Sequence, residues 1–539
     1  METRRPDDGA RGVRPSGCPN PAEDRGARAR HRGGPTPRAR YHAAVHMPSR
    51  KRVLPVLVCL LLAACATHSP PAAPAPPAAA VAEAWTAAEL RAELAELYSG
   101  LQAAHYDLFA FRGKADYDRL YAATREAIRD GMTAREVVRL FQPFVAFGRV
   151  GHARLDFPVA DYIAARDSGK ILPLDIRVED GRVFVAHDYT GDPRLAPGTE
   201  LLSLDGRPMA DEVATIGRYV SGETAYFVNA QLEEYFPRWL WLDRGSIDVF
   251  TLEVMRPEGR TTVTVAGKSI GEVEPLKSRW STRLHQREVR ILEGGIAYLR
   301  PGPFYNVEGG DSMDVTAFHS FVDGAFAQVL AAGAGKLIVD VRNNPGGDNS
   351  FSDHLVAWFA RRPFRFSDAF HLKVSPQTLA AYAPKEGEPY DGASLVGRMY
   401  AEMSRRRAGE TFLFELPYVQ PRAASRYEGR VYVLVNRHSY SNSASMAAMV
   451  QDYGFATILG EETGDLPTTY ASSVRFTLPR TGLSVTYPKS YFVRPNGDRS
   501  LRGVVPDLAI PTPLPGTSTA GAAPDAAVLD AAIAWVRDH

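Results

Sequence analysis

The stretch Val435-Asn-Arg-His-Ser-Tyr-Ser441-Asn-Ser-Ala-Ser-Met runs an apolar strand, a polar turn and a helix of small residues together without a break. A serine at such a junction projects from the C-terminal edge of a sheet, where its hydroxyl can act as a nucleophile. The amide of Asn442, at the helix N-terminus, faces the same space and can stabilise an oxyanion. This is the mechanics of a nucleophile elbow without the G-x-S-x-G sequence. Taken alone, serines at a helix start more often cap it. A second stretch, Asp340-Val-Arg342-Asn-Asn344-Pro-Gly346-Gly347, also follows a strand and precedes a helix. Its glycines let backbone approach a ligand closely, and their amides can supply a second oxyanion donor. A generic strand–turn–helix loop would read the same way.

Two later phrases, Gly460-Glu461-Glu462-Thr463 and Gly503-Val-Val-Pro-Asp507, complete a set of four in fixed order. The set resembles the carboxyl-terminal processing, or tail-specific, protease family, peptidase family S41, whose core reads D-x-R-x-N-x-G-G, N-x-x-S-x-S-x-S, G-E-x-T and G-V-x-P-D. The resemblance implies a serine peptidase acting on polypeptides without a cofactor. Ser441 would be its nucleophile, and Asn442 with the Gly346–Gly347 loop would supply the oxyanion amides. The implied fold class is α/β multidomain: a helical N-terminal subdomain, a PDZ-like β module and an α/β (ClpP/crotonase-like) tail-specific protease core.

The best-known members activate the serine with a lysine, and that position is Leu466 here, with Asp465 beside it. The tricorn-like branch takes a histidine from the helical subdomain instead. At the matching place this chain reads Gly148-Arg-Val-Gly151-His152, so the resemblance assigns the base to His152. Histidine suits that role near neutral pH. His438, three residues before Ser441, is the rival. The glutamate usual three residues after the nucleophile is Ala444, and the tricorn-like glutamate position holds Ser500. Asp498 and Glu461 are the candidates for the acid that would orient the histidine.

These residues need elements to position them. Apolar residues recur at helix spacing from Ala88 to Leu97 and from Val137 to Phe141, giving a helical subdomain over 86–158. Short alternating runs over 171–266 predict a small, mostly-β module. Within it Pro197-Gly-Thr-Glu-Leu-Leu-Ser-Leu-Asp-Gly206 resembles a PDZ-type turn into a strand. From 288 to 514 strands such as Lys336–Val341, Val431–Val435 and Thr457–Gly460 alternate with helices, an α/β layer pattern. The tail, 515–539, ends in an amphipathic helix.

A formal net charge of +1 gives no basic excess, so nucleic acid is not an expected partner. Residues 1–46 are rich in Arg, Pro, Gly and Ala and read as a leader from a misassigned start. From Met47 a basic stretch precedes an apolar run, Val53 to Ala64, too short to span a bilayer but suited to an export signal over 47–64. Leu62-Ala-Ala-Cys65 resembles a bacterial lipobox, so Cys65 is the expected lipidation site. Residues 65–85 then form a Pro/Ala linker. The expected location is the bacterial cell envelope, periplasmic and lipid-anchored to the membrane, or secreted. The cysteines are Cys18, Cys59 and Cys65, which leaves the exported body without a thiol nucleophile or cysteine–zinc site. The remaining histidines show no metal-ligand spacing. Two functions compete: a serine endopeptidase, and a catalytically silent binder of peptides or apolar ligands on the same fold.

Overall fold

The computed structural model describes residues 85–384, 391–517 and 523–539. The leader, the export signal, Cys65 and the linker up to residue 84 lie outside the described residues. The described chain is mixed α/β.

Its first helix, Ala87–Ala104, begins at Thr86, whose hydroxyl accepts from the Glu89 amide while the Glu89 carboxylate accepts from the Thr86 amide. This reciprocal box satisfies two amides that the helix leaves open. Leu90, Leu94, Leu97 and Leu101 share one face and are fully buried. Thr133 and Glu136 repeat the box for the helix Ala134–Ala146, whose Val137, Val138, Phe141 and Phe144 enter the same core. After it the chain turns through Gly148–Gly151, with Arg149 at φ 55, and presents His152 just before the short strand Arg154–Leu155.

The region expected to be mostly β holds an antiparallel sheet of Leu174–Glu179, Arg182–Asp188, Glu200–Leu204, Val249–Arg256 and Gly259–Ala266, in that order. It also holds helices, Met209–Gly217 and the 20-residue Ala225–Arg244, which period-two alternation does not announce. The second of these packs on the strand Leu174–Glu179.

A six-stranded sheet follows. Ile296–Arg300, Lys336–Asp340, Arg430–Val435, Thr457–Gly460 and Leu508–Ala509 run parallel, with Glu288–Leu292 antiparallel at one edge. Leu337, Val339, Val431, Val433 and Val435 face the helices Thr316–Ala331, Asn349–Ala357 and Asn442–Asp452. Ile338, Tyr432 and Leu434 face Val528, Ala532 and Val536 of the last helix, Pro524–Asp538. Both faces are therefore covered, as a parallel sheet requires. Asp340 pairs with Leu434 and Val435 with Gly460, so three strands end level at one edge.

A further antiparallel sheet is built on Ser484–Val493, which pairs with Thr469–Thr477, with Ala369–Lys373 and with Arg154–Leu155. The register sets Arg154 against Thr486 and Leu155 against Val485. The segment after His152 is thereby stitched to the C-terminal third of the chain.

Candidate active site

In open α/β sheets the loops at the carboxyl ends of the strands gather the chemistry. Here the Gly346–Gly347 loop, the turn to Ser441 and the segment 461–465 all leave the parallel sheet at that edge. The turn is fixed by its own polar groups. Asn436 accepts from the Asn343 amide at 3.0 Å and donates to the Asn343 side-chain oxygen at 2.8 Å. The Ser439 hydroxyl donates to the carbonyl of Val341 at 2.8 Å.

Ser441 then adopts φ 54 and ψ −123 and makes no side-chain cap to the helix it precedes. A non-glycine residue held there costs on the order of 1–3 kcal/mol, which the surrounding bonds must offset. The capping role open to this serine on sequence grounds is therefore absent. Its Oγ lies 3.3 Å from Nε2 of His152, 289 residues earlier in the chain.

His152 is 2 % exposed. Its ring stacks on Tyr440 at 5.0 Å and 15°, and the Tyr440 hydroxyl donates to the Gly151 carbonyl at 3.2 Å. The Ser473 hydroxyl donates to the His152 carbonyl at 3.3 Å. Burial first, and Arg154 second, push the imidazole down to about 3, so it rests neutral at ordinary pH. A neutral imidazole beside a hydroxyl can accept its proton. Nδ1 is buried with no hydrogen-bond partner among the described residues.

Two carboxyls that sequence reasoning did not select as candidates converge on this pair. Asp465, 1 % exposed, accepts from the Ser441 amide at 2.6 Å and from the Leu466 amide at 2.9 Å. One of its oxygens is 3.9 Å from His152 Nε2. Burial, then the charge of Glu223, raises its carboxyl well above the usual range, against the pull of those two amides. Proximity alone would suggest an ion pair. The depressed imidazole and raised carboxyl instead make the resting contact one between groups that both resist charge. Glu223, just ahead of the helix Ala225–Arg244, accepts from the Gly151 amide at 3.2 Å and from the Thr469 hydroxyl at 3.1 Å. Its second oxygen is buried without a partner, and burial raises this carboxyl too.

The acids expected to orient the histidine lie elsewhere. Asp498 is exposed in a surface turn, accepting from the amide and hydroxyl of Ser500 at 2.9 Å each. Glu461 binds Arg437, with Arg177 at 3.3 Å and the Thr512 hydroxyl at 3.2 Å. Two guanidinium groups and a hydroxyl engage it, away from His152. The rival base is also engaged, since His438 Nε2 lies 3.3 Å from Glu233.

On the oxyanion side, Asn442 opens its helix, so its amide has no partner within that helix. Its side chain donates to the Asp348 carbonyl at 3.0 Å and to the Ser352 hydroxyl at 2.9 Å, which locks the residue. Gly346 lies directly against Ser441: a Cβ built there would meet the Asn442 nitrogen at 2.7 Å and Ser441 Cβ at 2.8 Å. Its own amide, however, donates to the Asn344 side chain at 2.9 Å, so Gly346 is not a free oxyanion donor. The carbonyl of Gly346 accepts from Phe304 and the amide of Asp348 donates to Phe304, leaving Gly347 between them with its amide untaken among the described residues. The loop is held from below by Asp340 and Arg342, paired at 2.8 and 3.0 Å, with Tyr298 donating to Asp340 at 2.9 Å. Ala444 and Leu466 are both buried apolar residues.

Residues 311–510 match the family model for peptidase family S41. Among solved structures, mature CPAF aligns with a TM-score of 0.59 at 16% identity, covering 84% of this chain and 98% of its own. Mature CPAF complexed with lactacystin aligns at 0.57 and 16%, covering 84% and 99%. At that identity the likeness is one of fold.

Proposed function

Because this chain belongs to peptidase family S41 through residues 311–510, we propose that it is a serine endopeptidase that uses a histidine as base. The observation that carries the reading is the Ser441 Oγ–His152 Nε2 approach at 3.3 Å, made by a serine with strained elbow geometry. His152 takes the proton as Ser441 attacks the peptide carbonyl. The amides of Asn442 and Gly347 then hold the oxyanion, and the imidazolium returns the proton to the leaving amine. A cation forming on His152 lies 3.9 Å from Asp465, so protonation of the ring and ionisation of the carboxyl favour each other. At an effective dielectric near 20, unit charges about 4 Å apart attract by roughly 4 kcal/mol. Asp465 thus supplies what Asp498 and Glu461 do not.

The antiparallel sheet within 171–266 serves, in this reading, as a PDZ-like module that receives the end of an extended polypeptide by strand addition. The parallel sheet with its helices serves as the ClpP/crotonase-like core. The basic stretch, apolar run and Cys65 support export and lipid anchoring at the bacterial cell envelope, with Cys65→Ser releasing soluble protein or blocking processing.

Labelling by a fluorophosphonate probe tests the mechanism. Ser441 should be modified and casein-derived peptides cleaved, with both lost in Ser441→Ala. A correctly folded wild type that neither labels nor cleaves would make the silent binder, which the apolar residue at Leu466 favours, the better reading.

A further inference from the structure

Lys489, on the strand Ser484–Val493, has no exposed surface. Its ammonium donates to the Ser472 carbonyl at 2.9 Å and to the Ser472 hydroxyl, and it sits 4.9 Å over the Tyr382 ring. Strand pairing steps from Ala471–Ser490 to Ser473–Pro488 and passes over both residues, with Ser472 at φ 54. Among the described residues no carboxylate stands within ion-pair distance of this ammonium. Asp348 acts on it through its field, but the Asp348 carboxylate is occupied by the amide and hydroxyl of Ser350 at 2.9 and 2.7 Å. A buried cation without an anion is costly, and burial pulls this one down to about 7.

The place is as informative as the charge. Ser472, Tyr382 and Asp348, the residues that act on Lys489, are only half-buried, whereas Lys489 itself has no exposed surface. Asp348 directly follows the Gly346–Gly347 loop and its carbonyl holds the Asn442 side chain. Ser473, beside Ser472, holds the backbone of His152. The two walls that flank the nucleophile and the base therefore meet at this lysine.

We propose that Lys489 is the floor of a substrate subsite that takes a carboxylate close to the scissile bond, from an Asp or Glu side chain or from a chain terminus. The assignment of the carboxylate to a peptide rests on the serine-peptidase reading. The ammonium supplies the donor to the incoming oxygens, beside the mutually bonded hydroxyls of Ser472 and Tyr382, and the anion neutralises a charge that no carboxylate among the described residues pairs with.

Fluorescence anisotropy on full-length Ser441→Ala, which retains bound peptide uncut, tests this. Four peptides separate the sources: Glu or Gln at the residues flanking the cleavage position, each with a free-acid or amidated terminus. At pH 6 the carboxylate form should bind roughly tenfold or more tightly than its amide partner. That margin should shrink as pH rises through 7 and the ammonium, which Asp348 and Tyr382 face, deprotonates while the raised Tyr382 phenol stays neutral. Adding Lys489→Met should abolish the margin, and Lys489→Arg should retain much of it. Equal binding of acid and amide in the parent, a margin that survives Lys489→Met, or no binding by any of the four overturns the proposal. Should Lys489→Met fail to fold, a margin flat from pH 6 to 9 in the parent overturns it equally. Loss of fluorophosphonate labelling in wild type, with the carboxylate margin intact, would sink the peptidase reading and leave the subsite standing.

Discussion

Replacing Gly346 by alanine adds a methyl group where the backbone of the nucleophile turn already lies. The new Cβ would stand 2.5 Å from the Tyr440 carbonyl, 2.7 Å from the Asn442 nitrogen and 2.8 Å from Ser441 Cβ, at φ +82. None of these is the far end of a flexible side chain, so the turn and the loop must separate. The left-handed conformation costs an alanine about 1–2 kcal/mol, and the overpacking adds roughly 1–3 kcal/mol. Separation by even about 1 Å would misplace Ser441 against His152 and the Asn442 amide, a change worth around a hundredfold in rate. Gly497 provides the matched control, because it has φ +83 and nothing within 4 Å of an added Cβ. Gly346→Ala should therefore lower kcat by about two orders of magnitude, and Gly497→Ala should lower only the melting temperature. Steady-state peptide hydrolysis, normalised by fluorophosphonate titration and paired with thermal melts, reads both. If Gly346→Ala kept kcat within a few-fold of wild type, the claim that this glycine sets the nucleophile's position would be refuted.

His152→Ala should lower turnover by about two to three orders of magnitude while His438→Ala, whose ring lies against Glu233, changes it little; the reverse order would move the base to the local histidine. Asp465→Asn keeps an acceptor for the Ser441 amide but cannot balance the imidazolium, so kcat should fall by roughly tenfold or more with KM nearly unchanged, and an effect on KM alone would argue against it. His105 and His152 are both held down to about 3 by burial, each below its unfolded value, so the unfolded chain binds more protons between pH 6.5 and 3. Stability should be full above 6.5 and decline as pH falls through that window, with His105→Phe shallowing the decline in thermal melts. Asp340→Ala strands Arg342 in a buried setting and should cost about 3–5 kcal/mol by urea titration.

The strand–turn–helix junction at Ser441 was legible because its cues are contiguous, an apolar strand, a polar turn and small residues within Val435–Met446, but on that stretch alone capping was the commoner reading and the resemblance supplied the role. The carbonyl-gripping Gly346–Gly347 loop was legible for the same reason, although which amide it frees depends on the Asn344 side chain closing on Gly346. The base had no local cue and came forward only through resemblance. Asp465 was passed over as a mere neighbour of the vacant lysine position. A usable cue existed, since it closely follows the strand Thr457–Gly460, whose end is level with that of the nucleophile's strand. Glu223 had none, because its role exists only once the helix Ala225–Arg244 is docked. The hairpin Thr469–Thr477 and Ser484–Val493 also stayed hidden. It buries Thr486, Lys489 and Ser490, so the alternation that marks a half-buried strand is broken.

The pairing of Arg154–Leu155 with Val485 and Thr486 has a consequence for when activity begins. Synthesis proceeds from the N-terminus, so His152 and its helices are made long before their partner strand exists. Ser441 follows, but it too precedes residues 484–493. A nascent chain stopped between these points would own both reacting side chains without the strand that brings them into register. Competence thus arrives late and all at once, as the last structural third closes on the first.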